Sequence, residues 1–331
     1  MANILQAHGI KTGLFTSPHL VNLRERIKID GKMISQRELD SILMRIEQAA
    51  KTLKPSYFEM LTAAAFLWFE EKKVQVAVLE AGLGGRLDCT KIAGGSIVAL
   101  TSIGLDHTEI LGNTKEKILK EKLGIAKKGA IIITKRKRIS PPLAVGNHGK
   151  IYVRNAELSW AVAKRFLVSN FDENLARAAL KKSLWPGRMQ MLFKNGNLKT
   201  ILDGAHNPAA AKELAKCLKE KSIAPLPCIF ASLTDKDTFK VLKTLKPHIS
   251  LCYPVRVDNT RTRSEEDICE ICKNLKIKTM PLPGSIKNCI LKSKSPVLIT
   301  GSLYLVGKAI FALRNEFSDL AEFRGLRESP D

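Results

Sequence analysis

Along this chain, short apolar runs bounded by Gly, Pro and polar turn residues alternate with longer segments whose apolar positions recur at helical spacing. Residues 12–16 read as a short strand. Ser35, with Glu38 three positions on, forms a capping box and predicts a helix running to about residue 53. Residues 58–71, rich in Ala and Leu, predict an apolar helix. Residues 74–80 and 96–102 predict strands, the first of them buried, and each ends in a polar cluster. A helix over 115–127 and a strand over 130–134 follow. Periodicity is lost over 135–150, where Pro, Gly and basic residues collect. Helices are predicted over 155–167 and 174–184, and Trp185-Pro186-Gly187-Arg188 breaks the second.

The pattern then starts again. Asn195-Gly196 predicts a hairpin turn between two short strands. Beyond it come a strand to 203, a helix to 219, a strand over 228–232, a helix from 237, a strand over 249–253, a helix from 264, a strand over 296–300 and a helix from about 303. This alternation predicts α/β architecture in two domains, 1–184 and 185–331, each doubly wound with its polar residues gathered where strands end. A length of 331 residues agrees with two domains. No internal repeat or low-complexity stretch is present.

Composition narrows the function classes. The chain is 45% hydrophobic and 26% charged, enough apolar material for a sizeable core. No apolar run approaches the roughly 18 residues of a membrane span. The first residues show neither a basic segment nor an apolar leader, so a cytoplasmic protein without a membrane partner is expected. Lys plus Arg is 54 against 32 Asp plus Glu, a net charge of +22. A nucleic-acid binder could look like this, but the basic residues are spread along the chain. The one dense block, Lys135-Arg136-Lys137-Arg138, has no interleaved aromatics. A small polyanionic substrate would feel the same field, and no nucleic-acid partner is expected. Seven irregularly spaced cysteines suit a reducing compartment. Cys269 and Cys272 form a CxxC with no second ligand pair at zinc spacing, and they read as thiols on an amphipathic helix.

Candidate chemistry falls at the ends of predicted strands. Ser17, in Thr16-Ser17-Pro18-His19-Leu20, is either a metal or phosphate ligand or a turn hydroxyl. In the stretch from Glu80 to Asp88 a carboxylate ends a strand, glycines allow close backbone approach, and Arg86 and Asp88 complete the group. That combination points to a binding loop, although its spacing is not that of a dinucleotide fingerprint. Asp106 and His107 follow the next strand, and neighbouring strand ends would bring His107 toward Glu80 and Ser17 around a divalent metal. Lys122 reads from composition as part of a charged helix face. In the second half Asp203 ends a strand, and His206, Asn207 and Pro208 open a helix. Such a helix start favours a nearby phosphate, to which Arg188 could give a bidentate contact.

In order along the chain stand SPHL at 17–20, YFE at 57–59, LEAGLGGRLD at 79–88, TSIGLDHTEILG at 101–112, EKLGI at 121–125, WPGR at 185–188, DGAHNP at 203–208, TDKD at 234–237 and TGSLYLVG at 300–307. Together these words resemble the Mur ligase superfamily and, more closely, the folylpolyglutamate synthase/dihydrofolate synthase family. The resemblance implies a Mur-ligase-like central ATP-binding domain over 1–184, truncated at its N-terminus, and a smaller Rossmann-like C-terminal domain over 185–331. It implies an ATP-dependent ligase that adds L-glutamate to dihydropteroate or to reduced folates through an acyl phosphate. By the same resemblance, Ser17, Glu80 and His107 ligate Mg²⁺, two ions in all. Lys122 is carbamylated, and it and His206 are the catalytic pair. Ser56, Tyr57, Phe58, Glu59, Arg86, Leu87 and Asp88 line the pterin side, while Asn155, Arg188 and Asp203 hold ATP across the domain interface. A monomer is implied.

Three departures from the family pattern stand out. The Gly-rich phosphate loop, of the form GTNGKGS, does not precede SPHL, and residues 1–5 read like the helix that follows it. An internally placed start codon is the expected cause. The alternative is a truncated, catalytically weak or silent folate-binding protein, and a second alternative is a cell-wall amino-acid ligase of the same superfamily. Lys91 stands where the family usually has Asn, and the stretch 135–155 is short.

Overall fold

The computed structural model describes residues 1–101, 103–104, 107–134, 139–140, 142–143, 145 and 150–327. Asp106 and the basic block 135–138 lie outside the described residues. The chain divides into two compact units, one of Met1–His19, Leu23–Gly146 and Val153–Ser183, the other of Leu20–Asn22, Asn147–Tyr152 and Leu184–Asp331.

The first unit opens with helix α1 (Ala2–Ala7) and strand β1 (Thr12–Phe15). Strands β2 (Ile27–Ile29) and β3 (Lys32–Met33) form a hairpin around Asp30-Gly31, both residues at positive φ. Helix α2 (Gln36–Ala49) starts from the expected Ser35–Glu38 capping box and stops short of residue 53. Helix α3 (Tyr57–Glu71) is followed by β4 (Val76–Leu79). Phe15, Ile27, Leu39, Ile42, Leu61, Trp68 and Phe69 pack the space between the sheet, α2 and α3. The four strands lie in the order β3-β2-β1-β4, with β4 parallel to β1.

Next come β5 (Ile97–Ala99), α4 (Thr108–Leu111), α5 (Lys115–Leu123) and β6 (Ile131–Ile133). Strands β5 and β6 pair with each other as a separate two-stranded parallel sheet. Helices α6 (Lys150–Leu167) and α7 (Glu173–Lys182) close the unit. Trp160, Ala163, Ala176 and Leu180 join Ile4 and Leu5 of α1 in a second core, against which Val76 and Val78 of β4 pack. One expectation is corrected here: the strand over 74–80 is not buried. Strand β4 is an edge strand, and Val76, Val78 and Leu79 are only half-buried while Ala77 is exposed.

The second unit begins with the hairpin of β7 (Gln190–Lys194) and β8 (Asn197–Leu202), turned at Asn195-Gly196 with positive φ at both residues. It continues through α8 (Pro208–Glu220), β9 (Leu226–Phe230), α9 (Thr238–Leu245), β10 (Ile249–Pro254), α10 (Glu265–Asn274), α11 (Ile286–Lys292), β11 (Val297–Thr300) and α12 (Leu303–Leu313). Five strands lie in the order β10-β9-β11-β8-β7, parallel except for β7. Period-2 alternation splits their side chains between two faces. Ile201, Cys228, Phe230 and Leu298 meet α8, α9 and α10, whereas Leu202, Ile229, Val297 and Ile299 meet α11 and α12. Strands β8 and β11 are neighbours whose following helices pack on opposite faces. That is the switch point at which an open α/β sheet leaves a crevice beyond its carboxyl ends.

Candidate functional site

In the first unit, the glycine loop after β4 is held from within by Asp88. One carboxylate oxygen accepts the N–H groups of Gly82 and Leu83, at 2.8 and 3.1 Å. The other accepts the Thr90 N–H and hydroxyl, at 2.9 and 2.5 Å. Asp88 is thereby the organiser of the loop rather than an open contact on its surface. Three helices press on that loop. A Cβ at Gly82 would stand 2.7 Å from the Phe58 ring, one at Gly84 2.9 Å from Leu111, and one at Gly85 2.5 Å from the Lys122 carbonyl oxygen. The loop therefore draws together the start of α3, the helix that follows His107, and the turn of α5 that bears Lys122. Arg86 fixes the last of these: its N–H donates to the Glu121 carbonyl at 2.8 Å, and its Nε lies 3.0 and 3.1 Å from the Glu121 carboxylate oxygens. Lys91, the residue that departs from the family pattern, donates to the Arg86 carbonyl at 3.4 Å.

Ser17 and Glu80 meet directly, because β1 and β4 run parallel and end side by side. The Ser17 N–H donates to Glu80 Oε2 at 2.9 Å. His107 does not reach them through strand pairing, since β4 and β5 belong to different sheets. It sits exposed at the start of α4 with left-handed backbone, φ 50°, an uncommon conformation outside glycine that concentrates at functional sites. Among the described residues no three His, Cys, Asp or Glu side chains are grouped to hold a metal. The expected ligand set has only one carboxylate and one imidazole, with a serine hydroxyl as the third donor. Hard oxygen donors of this kind suit a small divalent cation.

At the start of α3, Ser56 and Glu59 form a reciprocal capping box: Ser56 N–H donates to the Glu59 carboxylate at 2.7 Å and Glu59 N–H to the Ser56 hydroxyl at 3.4 Å. These hydrogen bonds hold the Glu59 carboxyl below its ordinary value. Both residues position the helix end. Tyr57 and Leu87 point outward instead, 47% and 82% exposed, and Leu83 is also open at 37%. Large apolar side chains left in water around a glycine loop form a surface that a flat apolar ligand could cover.

In the second unit, Asp203 ends β8 at the switch point. It is buried, with its two carboxylate oxygens accepting the N–H groups of Met189 at 2.7 Å and Ala205 at 2.9 Å. Burial pushes its carboxyl up to about 6, against the opposing pull of the Arg188 guanidinium and those two N–H groups. Gly204 has no room for a side chain: a Cβ there would lie 2.2 Å from Leu303 and 3.5 Å from Arg188 Nη1. The His206 Nδ1 lies 2.9 Å from the Gly204 carbonyl oxygen, which assigns the proton to Nδ1 and makes Nε2 the acceptor nitrogen. Asn207 caps α8 by accepting the Ala210 N–H at 2.9 Å, with Pro208 in the first turn as expected. Asn155 lies exposed on α6 and belongs to the first unit, whereas Arg188 and Asp203 belong to the second.

Two residues near these groups escaped the sequence reading. Arg26 is a buried guanidinium beside His19 and Tyr57. Its only signal is a charge within an otherwise alternating strand approach. Tyr152 packs against the core of the second unit, and burial, with the Asp203 carboxylate nearby, pushes its phenol up. A single aromatic after an aperiodic stretch carries no readable signal.

Residues 187–302 match the family described as Mur ligase, glutamate ligase domain. Among solved structures, the E. coli FolC in complex with DHPP and ADP aligns with a TM-score of 0.81 and 26% identity, over 95% of this chain and 84% of that one. The bifunctional folylpolyglutamate synthase/dihydrofolate synthase from Yersinia pestis, complexed with AMPPNP and Mn ion, also aligns with a TM-score of 0.81 and 26% identity, over 94% and 84%. In sequence and fold this chain is similar to the folylpolyglutamate synthase/dihydrofolate synthase family. A Halobacterium salinarum relative, named as a probable bifunctional folylpolyglutamate synthase/dihydropteroate synthase, is 27% identical over 93% of this chain. The chain spans 44% of that relative, less than half its length. The words LEAGLGGRLD and EKLGI thus lie on the glycine loop and on α5 beside it in the first unit, and WPGR and DGAHNP at the switch point of the second. Among the described residues no helix is long and apolar enough to cross a membrane.

Proposed function

We propose that the chain is an ATP-dependent ligase that joins L-glutamate to dihydropteroate or to a reduced folate. The observation that carries this reading is the switch-point site, where a buried carboxylate, a guanidinium and an imidazole stand at the opening of α8 inside the matched glutamate-ligase stretch. Its counterpart fold in E. coli FolC is complexed with ADP. In this reading the first unit is the central ATPase-type domain and the second the C-terminal domain. Arg188 supplies the bidentate phosphate contact, and Asp203 and Asn155 complete the ATP contacts. Ser17, Glu80 and His107, with a carbamylated Lys122 carrying a carboxylate-like end, would hold two Mg²⁺ ions. Bound there, Mg²⁺ neutralises phosphate charge, the chief demand of phosphoryl transfer.

The chemistry runs in two balanced steps. A carboxylate oxygen of the folate substrate attacks the γ-phosphorus of ATP and ADP leaves, giving an acyl phosphate. The α-amine of L-glutamate attacks the acyl carbon, and phosphate departs as the amide forms. His206, with Nε2 as acceptor, would take a proton in this sequence. Tyr57, Phe58 and Leu87 offer the apolar surface for the pterin, while Ser56, Glu59, Arg86 and Asp88 keep that surface in place. The substrates' phosphates and carboxylates suit a chain of net charge +22, and the enzyme would act as a cytoplasmic monomer.

The alternative reading is a protein that binds folate without turning over ATP. Steady-state ADP release separates the two. The ligase reading expects release from ATP and Mg²⁺ that requires both dihydropteroate and L-glutamate. Saturable dihydropteroate binding without any ADP release would establish the second reading instead.

A further inference from the structure

Arg26 is 6% exposed, deep enough that a charged group needs partners fixed around it. Its carbonyl accepts the Thr16 N–H at 3.0 Å, and its Nε–H donates to His19 Nδ1 at 3.0 Å. One residue therefore grips the Ser17-Pro18 turn from both sides, while Glu80 holds the Ser17 N–H from β4. The same guanidinium lies 5.6 Å from the centroid of the Tyr57 ring, a cation–π distance. Tyr57 is 47% exposed, so its ring is backed by Arg26 and still presents surface to solvent.

We infer that Arg26 is a positioning residue which locks the Ser17 turn to the aromatic end of α3 and so sets the affinity of the site for a flat heteroaromatic acid. The inference rests on the reading of Tyr57 as a substrate contact. Its physical basis is the geometry of guanidinium. The group is planar, so it stacks on a ring with one surface while donating in its plane to His19. A lysine in its place keeps the charge but loses both the in-plane Nε–H and the stacking surface. The donation to Nδ1 also assigns the His19 proton to Nε2, which sets the ring's orientation at the turn.

The test is calorimetric titration of dihydropteroate into the wild type, Arg26→Lys, Arg26→Gln, Tyr57→Leu and the Arg26→Gln/Tyr57→Leu double variant, each with a thermal melt. Arg26→Gln and Arg26→Lys are each expected to raise Kd about tenfold, equivalent to about 1.4 kcal/mol. ATP affinity should stay within about twofold. The double variant should bind no more than about twofold weaker than the weaker single variant, because both changes remove one contact. Unchanged affinity in a folded Arg26 variant, or fully additive losses, would overturn the role. Should Arg26→Gln fail to fold, His19→Leu removes the acceptor from the other side and must show the same tenfold loss. A wild type that binds neither dihydropteroate nor a reduced folate would sink the substrate reading and this role with it. Wild-type binding matched by the variants sinks this role alone.

Discussion

Burial at the switch point makes Asp203 a proton sink. Its carboxyl is raised from 3.8 to about 6, so the folded chain holds this proton more tightly than the unfolded chain. The associated stability is fully present below pH 3.8 and is lost as pH rises through about 6. A raise of about 2 pH units corresponds to an upper bound of roughly 3 kcal/mol. Denaturant melts from pH 4 to 7 should show this decline in the wild type and lose it in Asp203→Asn. An identical pH slope in both would assign the titration to another group. Asparagine also turns an amide donor against the N–H of Met189 or Ala205, so Asp203→Asn should cost about 1–3 kcal/mol at every pH. Sequence could show that Asp203 ends a strand before a helix start, but not that two backbone amides and a guanidinium surround it. Those contacts come from Met189, Ala205 and Arg188, brought in by a hairpin and a turn that local pattern does not align.

At the scale of elements, local signals were legible wherever one residue type fixes one backbone feature. Ser35 and Glu38 mark the start of α2, Asn195-Gly196 the hairpin, and Asn207-Pro208 the start of α8. The Asp30-Gly31 hairpin carries the same kind of signal and was passed over, because its strands are only three and two residues long. The apolar run 74–80 reads as a buried strand, yet burial is decided by what pairs beyond β4, which its own residues do not encode. The glycine loop gives the sharpest element-scale prediction. An alanine at Gly85 would press on the Lys122 carbonyl, and one at Gly124 would lie 2.5 Å from the Arg86 Cβ. Each should destabilise by about 1–3 kcal/mol and depress turnover by displacing α5. Gly95→Ala, whose Cβ meets nothing nearer than 3.7 Å, should change stability by no more than about 0.5 kcal/mol. Urea melts of the three variants decide the matter: equal stability for all would show that the loop does not hold α5 in place.

Over the whole molecule, two α/β units each gather their polar residues where strands end, and that much follows from strand–helix alternation in the sequence. The assembly of each site does not. Ser17 and Glu80 meet because β1 and β4 are parallel neighbours, and Lys122 lies at the glycine loop because Gly85 leaves room for its carbonyl. These are long-range pairings that residue words mark without explaining. The central claim is that this chain forms an amide through an acyl phosphate, and oxygen tracing tests it most directly. Dihydropteroate labelled with ¹⁸O in its carboxylate is incubated with the chain, ATP, Mg²⁺ and L-glutamate, and the released phosphate is weighed by mass spectrometry. The account predicts one ¹⁸O atom in the phosphate for each amide formed. Amide with unlabelled phosphate, or phosphate released without amide, would contradict it.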